Sequence, residues 1–167
     1  MDRSRLDLSA LVRQMLGLYQ PALAERQHEL ETHCDPSVEI DGDVSLIRRM
    51  VGNLLDNELT HLPGGCRIKI RLTAQNGFAD LQIEDNGPGF PPELRERAFE
   101  RFTKGEHSPG HGLGLAFVDA VVRAHGGTVR IGYRRNGGAV IALSLPLTSK
   151  TSSNAEGVAT VVSRVLS

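Results

Sequence analysis

The sequence predicts an α+β domain, with helices packed on one side of strands that pair in hairpins. Two observations predict the hairpins. Residues 67–84 alternate apolar and polar side chains around an Asn-Gly pair at position 76, and residues 128–145 do so around an Asn-Gly-Gly run at position 136. A third observation predicts the helices, because three other segments repeat apolar residues at helical spacing.

Length and composition predict one soluble domain. The chain has 167 residues, of which 40% are hydrophobic and 23% charged, enough for a single core. The formal net charge of −1, with both signs interspersed, predicts no nucleic-acid partner and no direct membrane contact. Cys34 and Cys66 are far apart, which favours two reduced thiols over a disulfide or a zinc site. Since no membrane-spanning run or signal peptide is present, the prediction is a cytoplasmic chain; anchoring of a longer parent protein in the inner membrane stays open.

The first 25 residues are predicted to form a helix or linker that enters the domain. Helical spacing covers residues 7–25, Asp7 or Ser9 could cap the helix, and Pro21 predicts a bend or the start of a second piece. The domain itself is expected over residues 26–147. Residues 148–167 are rich in Ser and Thr and predict a flexible tail, with a short helix open for residues 158–166.

Residues 27–34 and 38–40 are predicted to form a hairpin across the turn at Asp35. His28 in the first strand is followed by an acid, a pair that can mark a phosphate acceptor. Strand periodicity around it, where such an acceptor needs helices, argues against that role.

The next helix begins at Asp43, ends before Pro63, and carries two asparagines on one face. Asn53 and Asn57 are one turn apart, so their amides point the same way, with His61 following on that side. Asparagine is a poor helix former, and its neutral oxygen suits Mg²⁺ already held by phosphates. The alternative is two amides that face solvent.

Residues 85–90 form a glycine-rich turn directly after an alternating strand. Asp85 is a carboxylate placed to accept from an exocyclic amine such as that of adenine, and the glycines leave room for a flat ligand. The alternative is an ordinary turn.

Residues 91–99 predict a short helix, because two prolines begin it. Phenylalanines at both ends of residues 99–102 could anchor a lid formed by the polar residues 103–109, which we expect to become ordered when nucleotide binds. The alternative is that both are core aromatics.

The glycine-rich residues 110–115 lead directly into an apolar helix at residues 116–124. Backbone N–H groups at a helix start form a ready phosphate site. The pattern has neither the Lys-Ser/Thr of a Walker loop nor the spacing of a dinucleotide fingerprint.

Taken together, these four motifs resemble the ATP-binding catalytic domain of sensor histidine kinases, within the superfamily that includes gyrase, Hsp90 and MutL. Residues 53–57 are similar to the family's N box, 85–90 to its G1 box, 99–102 to its F box and 110–115 to its G2 box. The resemblance covers residues 8–147. It implies the Bergerat fold, a two-layer α/β sandwich with a mixed, mostly antiparallel sheet covered on one face by three helices.

The resemblance also implies ATP and Mg²⁺ as cofactors and a role for each matching residue. Asp85 would accept from the adenine amine, and Asn57 with Asn53 would hold Mg²⁺. Arg101 or Lys104 could reach the terminal phosphate. Further nucleotide-binding positions are expected at His61, Gly87, Gly89, Phe90, Gly110, His111, Gly112, Leu113, Gly114 and Leu115, although the two leucines suit the core better.

Kinase chemistry is expected because the superfamily's ATPases have a water-activating glutamate where this chain has Asn53. The γ-phosphoryl would go to a histidine on a dimerisation domain absent from this chain, and from there to a response regulator. A nucleotide-binding module without transfer activity, or a related ATPase or anti-sigma-type serine kinase, stays open.

Two residues depart from the family's pattern. The family usually has alanine at the position of Glu58 and often a basic residue at that of Thr60. Glu58 falls inside the apolar arc of its helix, so its carboxylate must be desolvated with a raised pKa or loosen the helix end. We expect weaker nucleotide affinity than the family has.

Overall fold

The computed structural model describes residues 1–89 and 113–149, which form three helices, a five-stranded sheet and a two-stranded sheet. The α+β class is therefore confirmed. In chain order the elements are β1 (Ser4–Asp7), α1 (Leu8–Glu25), β2 (Glu29–Cys34), β3 (Glu39–Gly42), α2 (Val44–His61), β4 (Arg67–Gln75), β5 (Phe78–Asp85), α3 (Leu113–Ala124), β6 (Thr128–Tyr133) and β7 (Ala139–Pro146).

The large sheet has the strand order β2-β4-β5-β7-β6, and only its β2–β4 pair is parallel. Both hairpins predicted from Asn-Gly turns are confirmed, with Gln75 paired to Phe78 and Tyr133 to Ala139. Alternate side chains of β4, β5 and β7 are buried, so one face of the sheet packs against the helices.

The predicted hairpin of residues 27–34 with residues 38–40 is wrong. β2 instead pairs in parallel with β4, and β3 pairs with β1, a strand that the sequence did not predict. Ser9 Oγ fixes the turn against the start of α1, since it donates to Asp35 O at 2.6 Å and accepts from Val38 N at 3.0 Å. Asp35 N also donates to Leu72 O of β4 at 2.8 Å. His28 is buried and its Nδ1 accepts from Cys66 N at 3.2 Å, which fits a structural position.

The first and third helices differ in detail from the prediction. α1 begins after Asp7, whose side chain caps it, and continues through the exposed Pro21 as one element, so a second helical piece is wrong. α3 begins at Leu113, three residues before the predicted start.

The core lies between the three helices and the buried face of the sheet. α1 contributes Leu8, Val12, Leu16 and Leu23 to it, so this helix is packed against the domain along its length. Within the described residues, no helix is long and apolar enough to cross a membrane.

Candidate functional site

The two asparagines on α2 lie next to the start of α3. α2 is capped by Asp43, whose Oδ1 accepts from Ser45 N and Leu46 N at 3.1 and 3.2 Å, and it continues unbroken to His61. Asn53 and Asn57 are half-buried one turn apart. A Cβ placed on Gly114 would lie 3.8 Å from Asn57 Oδ1 and 4.0 Å from Asn53 Cβ. The predicted N-box and G2-box residues thus meet between two helices.

Asp85 is fixed at the end of β5 by backbone groups on both sides. Its side chain is 4% exposed, Oδ1 accepts from Gly87 N at 2.8 Å, and Oδ2 accepts from Ala139 N at 3.2 Å. Burial raises the pKa of Asp85, while these two N–H donors and the nearby Arg134 charge oppose the rise. An oriented carboxyl therefore lies at the base of a cleft.

Glycine is required where the turn after Asp85 approaches the β6–β7 turn. Gly138 has a φ of +102°, and a Cβ there would lie 2.9 Å from the carbonyl carbon of Asp85. Gly89 has a φ of +72° and faces Gly138. A Cβ on Gly87 would lie 2.6 Å from Leu62 Cδ2. A side chain at Gly138 would disrupt the floor of the cleft, whereas one at Gly87 would require the Leu62 side chain to move.

A pocket of about 420 Å³, which includes open solvent, joins these parts. Its lining residues come from α2, the β5 turn and β7, namely Asn57, Glu58, His61, Leu62, Asp85, Pro88, Gly89, Ala139 and Ile141. The sequence did not predict the walls formed by Ala139 and Ile141. These residues belong to the alternating pattern of β7, and only the pairing of β7 with β5 brings them to Asp85.

Glu58 is buried in this pocket, as its place in the apolar arc predicted. It is 6% exposed, and its Oε2 has no hydrogen-bond partner in the part of the chain that the structure describes. Burial, and secondarily the charge of Asp85, raise the pKa of Glu58 to about 8. The helix end does not loosen, since α2 continues three residues beyond Glu58. Of the two predicted consequences, a raised pKa and a loosened helix end, the structure supports the raised pKa.

Several predicted site residues lie outside the described residues or outside the pocket. The described residues do not include the predicted helix at residues 91–99, the lid, or the tail beyond residue 149. They also do not include the predicted site residues Phe90, Arg101, Lys104, Gly110, His111 and Gly112. Leu113 begins α3. Leu115 is 7% exposed and belongs to the core, where the sequence favoured it.

The residues present fit a metal held jointly with phosphates. Among residues 1–89 and 113–149 no three His, Cys, Asp or Glu side chains cluster as an all-protein metal site. Mg²⁺ in nucleotide sites instead takes few protein ligands and keeps phosphate oxygens and water. The amide side chains of Asn53 and Asn57 lie beside the start of α3, where Gly114 has no Cβ, and this suits such a metal site.

Comparisons with known proteins identify the family of this chain and several similar proteins. Residues 42–149 match the family described as histidine kinase-, DNA gyrase B-, and HSP90-like ATPase. Over 136 residues the chain is 36% identical to the probable sensor histidine kinase TcrY of Mycobacterium tuberculosis, a match that covers 78% of this chain and 28% of TcrY. The chain therefore spans less than a third of that relative.

For two other similar proteins, the match covers a larger share of the other protein's length. The chain is 34% identical over 121 residues to the sensor histidine kinase component HK1 of M. tuberculosis, which covers 71% of each. The solved structure of the mycobacterial sensor histidine kinase MprB superposes with a TM-score of 0.72 at 35% identity, covering 87% of this chain and 98% of that one.

Proposed function

The chain belongs to the family of histidine kinase-, DNA gyrase B- and HSP90-like ATPases, as an ATPase domain of the histidine kinase type, and we propose that it binds ATP with Mg²⁺ and transfers the γ-phosphoryl group. The acceptor would be a histidine on a separate dimerisation domain, with a response regulator downstream. The observation that carries the proposal is one pocket lined by both the buried Asp85 and Asn57. The domain would act in the cytoplasm, whether or not a longer parent is anchored in the membrane.

One end of the pocket suits adenine. Asp85 accepts two backbone N–H groups and retains lone pairs that can accept the exocyclic amine. Leu62 and Ile141 are apolar walls of the kind that cover the faces of a base. Such a site rejects a base that lacks the amine, because the buried carboxylate would then lose its partner.

The other end suits phosphates. Gly114 lies in the first turn of α3, and the N–H groups and dipole of a helix start favour anions. Asn57 and Asn53 would hold Mg²⁺ through their amide oxygens, and His61 on the same side of α2 lines the pocket. When bound, Mg²⁺ supplies charge neutralisation at the phosphates.

The residue at position 53 favours transfer to an imidazole over hydrolysis. An asparagine amide cannot accept a proton from water, so Asn53 supplies no general base. An imidazole nitrogen needs no general base, because its lone pair forms the N–P bond. The bond between the γ-phosphorus and the β,γ-bridging oxygen then breaks, and ADP leaves. The protein's own contribution is to hold the nucleotide in line for that attack.

A transfer assay tests the proposal. The chain would be incubated with Mg²⁺ and γ-labelled ATP, together with a histidine-bearing dimerisation domain supplied as a separate protein. We expect acid-labile, alkali-stable label on that domain, lost with Asn57→Ala and kept with Asp56→Asn, an exposed control on the same helix. Calorimetry with ADP runs in parallel. Absence of ADP binding refutes the proposal, whereas binding without transfer indicates a nucleotide-binding module.

A further inference from the structure

Arg49 lies on the same face of α2 as the two asparagines of the site. It precedes Asn53 by four residues and Asn57 by eight, so the three side chains follow one another at successive turns. Arg49 is exposed, and each helical turn advances about 5.4 Å along the axis. The α2 face that carries both amides therefore continues to a cation one turn beyond Asn53.

The ring of Phe117 on α3 holds the Arg49 guanidinium between the two helices. Cζ of Arg49 lies 4.4 Å from the ring centroid, a distance at which a cation and an aromatic face attract each other. Phe117 follows Gly114 by three residues, so it is one turn along α3 from the glycine that adjoins both asparagines. This contact places the guanidinium beside the site.

No carboxylate among residues 1–89 and 113–149 forms an ion pair with Arg49. The ion pairs found in these two ranges involve other cations. The neighbouring Arg48 is directed to α1, where its Nη1 lies 3.9 Å from Met15 Sδ. An arginine presents five N–H donors in a planar fork, so a guanidinium that is supported by a ring alone can bind a phosphate.

The order of groups along α2 sets the direction of a bound nucleotide. Glu58 lines the pocket with Asp85, where the base would lie, and Asn57 with Asn53 would hold Mg²⁺ beside the phosphates. From Glu58 to Arg49 the helix advances about 13 Å, at about 1.5 Å per residue. The ribose and the inner phosphates of an extended nucleotide would occupy this span. Its terminal phosphate would therefore come nearest to Arg49.

We propose, on the basis of the function above, that Arg49 binds the terminal phosphate of ATP and so distinguishes ATP from ADP. Its guanidinium can donate two parallel N–H bonds to phosphate oxygens, and the Phe117 ring orients it without neutralising its charge. ADP has no phosphate at that position, so this contact is specific to the triphosphate.

Calorimetry with ATP and with ADP, each in the presence of Mg²⁺, tests the contact. Arg49→Gln should weaken ATP binding about fivefold to twentyfold, as loss of a charge-assisted contact by an exposed side chain allows, and should change ADP binding by less than about twofold. Arg49→Lys keeps the charge and should retain part of the preference for ATP. Arg48→Gln is the matched control, because it removes the adjacent arginine, which contacts Met15, and should leave the ratio of the two affinities unchanged.

A second variant tests the support that the ring gives to Arg49. Phe117→Leu removes the ring and keeps an apolar side chain against the core. It should lower the preference for ATP over ADP in the parent and have no further effect on that preference when combined with Arg49→Gln, because both changes act on one guanidinium.

The ratio of ATP affinity to ADP affinity separates the outcomes. Equal weakening of both nucleotides by Arg49→Gln overturns the inference, because Arg49 would then only stabilise the contact between α2 and α3. Unchanged binding of both nucleotides also overturns it and leaves the proposed function intact. If the parent binds neither nucleotide, the proposed function itself fails, and this inference fails with it.

Discussion

Replacing Glu58 with glutamine should make the domain more stable at neutral and alkaline pH but not in acid. The pKa of this carboxyl rises from 4.5 to about 8 on folding, mainly because of burial. Between those values the unfolded chain releases the proton and the folded domain keeps it. Stability therefore falls as pH rises through this window, and the loss is absent below pH 4.5 and complete above pH 8.

The size of the effect follows from the same two values. Each pH unit in the window removes about 1.4 kcal/mol from the free energy of unfolding. Across the window from 4.5 to about 8 the loss is at most about 5 kcal/mol. Glutamine has nearly the same shape and no proton to lose, so the advantage of Glu58→Gln should grow with pH to about 2–5 kcal/mol at pH 8.

Urea unfolding followed by circular dichroism at pH 5, 6, 7 and 8 measures the effect. The difference between variant and parent cancels the titration of other groups, and Asp56→Asn, exposed on the same helix, should show no such trend. A variant-minus-parent difference that is the same at pH 5 and pH 8 would refute the argument, since Glu58 would then be charged in the folded domain throughout.

Three further predictions concern the rest of the pocket. Asp85→Asn should weaken ADP binding by about 1–3 kcal/mol and reduce the preference for ADP over GDP, measured by calorimetry, because the amine loses its acceptor. Gly138→Ala should lower the free energy of unfolding by more than about 1 kcal/mol, given a φ of +102° and the nearby carbonyl of Asp85. Gly132→Ala is its control, since nothing lies within 4 Å of a Cβ there, and should have little effect on thermal unfolding. Asn57→Ala should abolish the Mg²⁺ dependence of ATP affinity and leave the melting temperature within a few degrees, and an unchanged dependence would exclude Asn57 as a ligand.

Features with local causes were predictable from sequence. The β4–β5 and β6–β7 hairpins depend on Asn-Gly turns inside each pair, and both were predicted with nearly correct bounds. The cap at Asp43 and the burial of Glu58 follow from positions along one helix. In each case the deciding interaction lies within a few residues in sequence.

Features that depend on distant pairing were not predictable in the same way. β2 is strand-like by pattern, but its parallel partner β4 comes after α2 in the sequence. The sequence pattern therefore suggested the nearer β3 as its partner. β1 forms only because β3 is available beside it. The pocket walls at Ala139 and Ile141 depend on the register of β5 with β7, in which Ile83 pairs with Ile141. No local pattern specifies such a register.

The two carboxyls of the pocket illustrate how backbone geometry assigns different states to similar groups. Asp85 ends a strand that is paired on both sides, so N–H groups from its own turn and from β7 reach its oxygens and favour the charged form. Glu58 projects from the last turn of α2, where the backbone N–H groups bond along the helix, and burial raises the pKa of its carboxyl. Burial therefore opposes ionisation of both carboxyls, and backbone N–H donors offset this effect at Asp85.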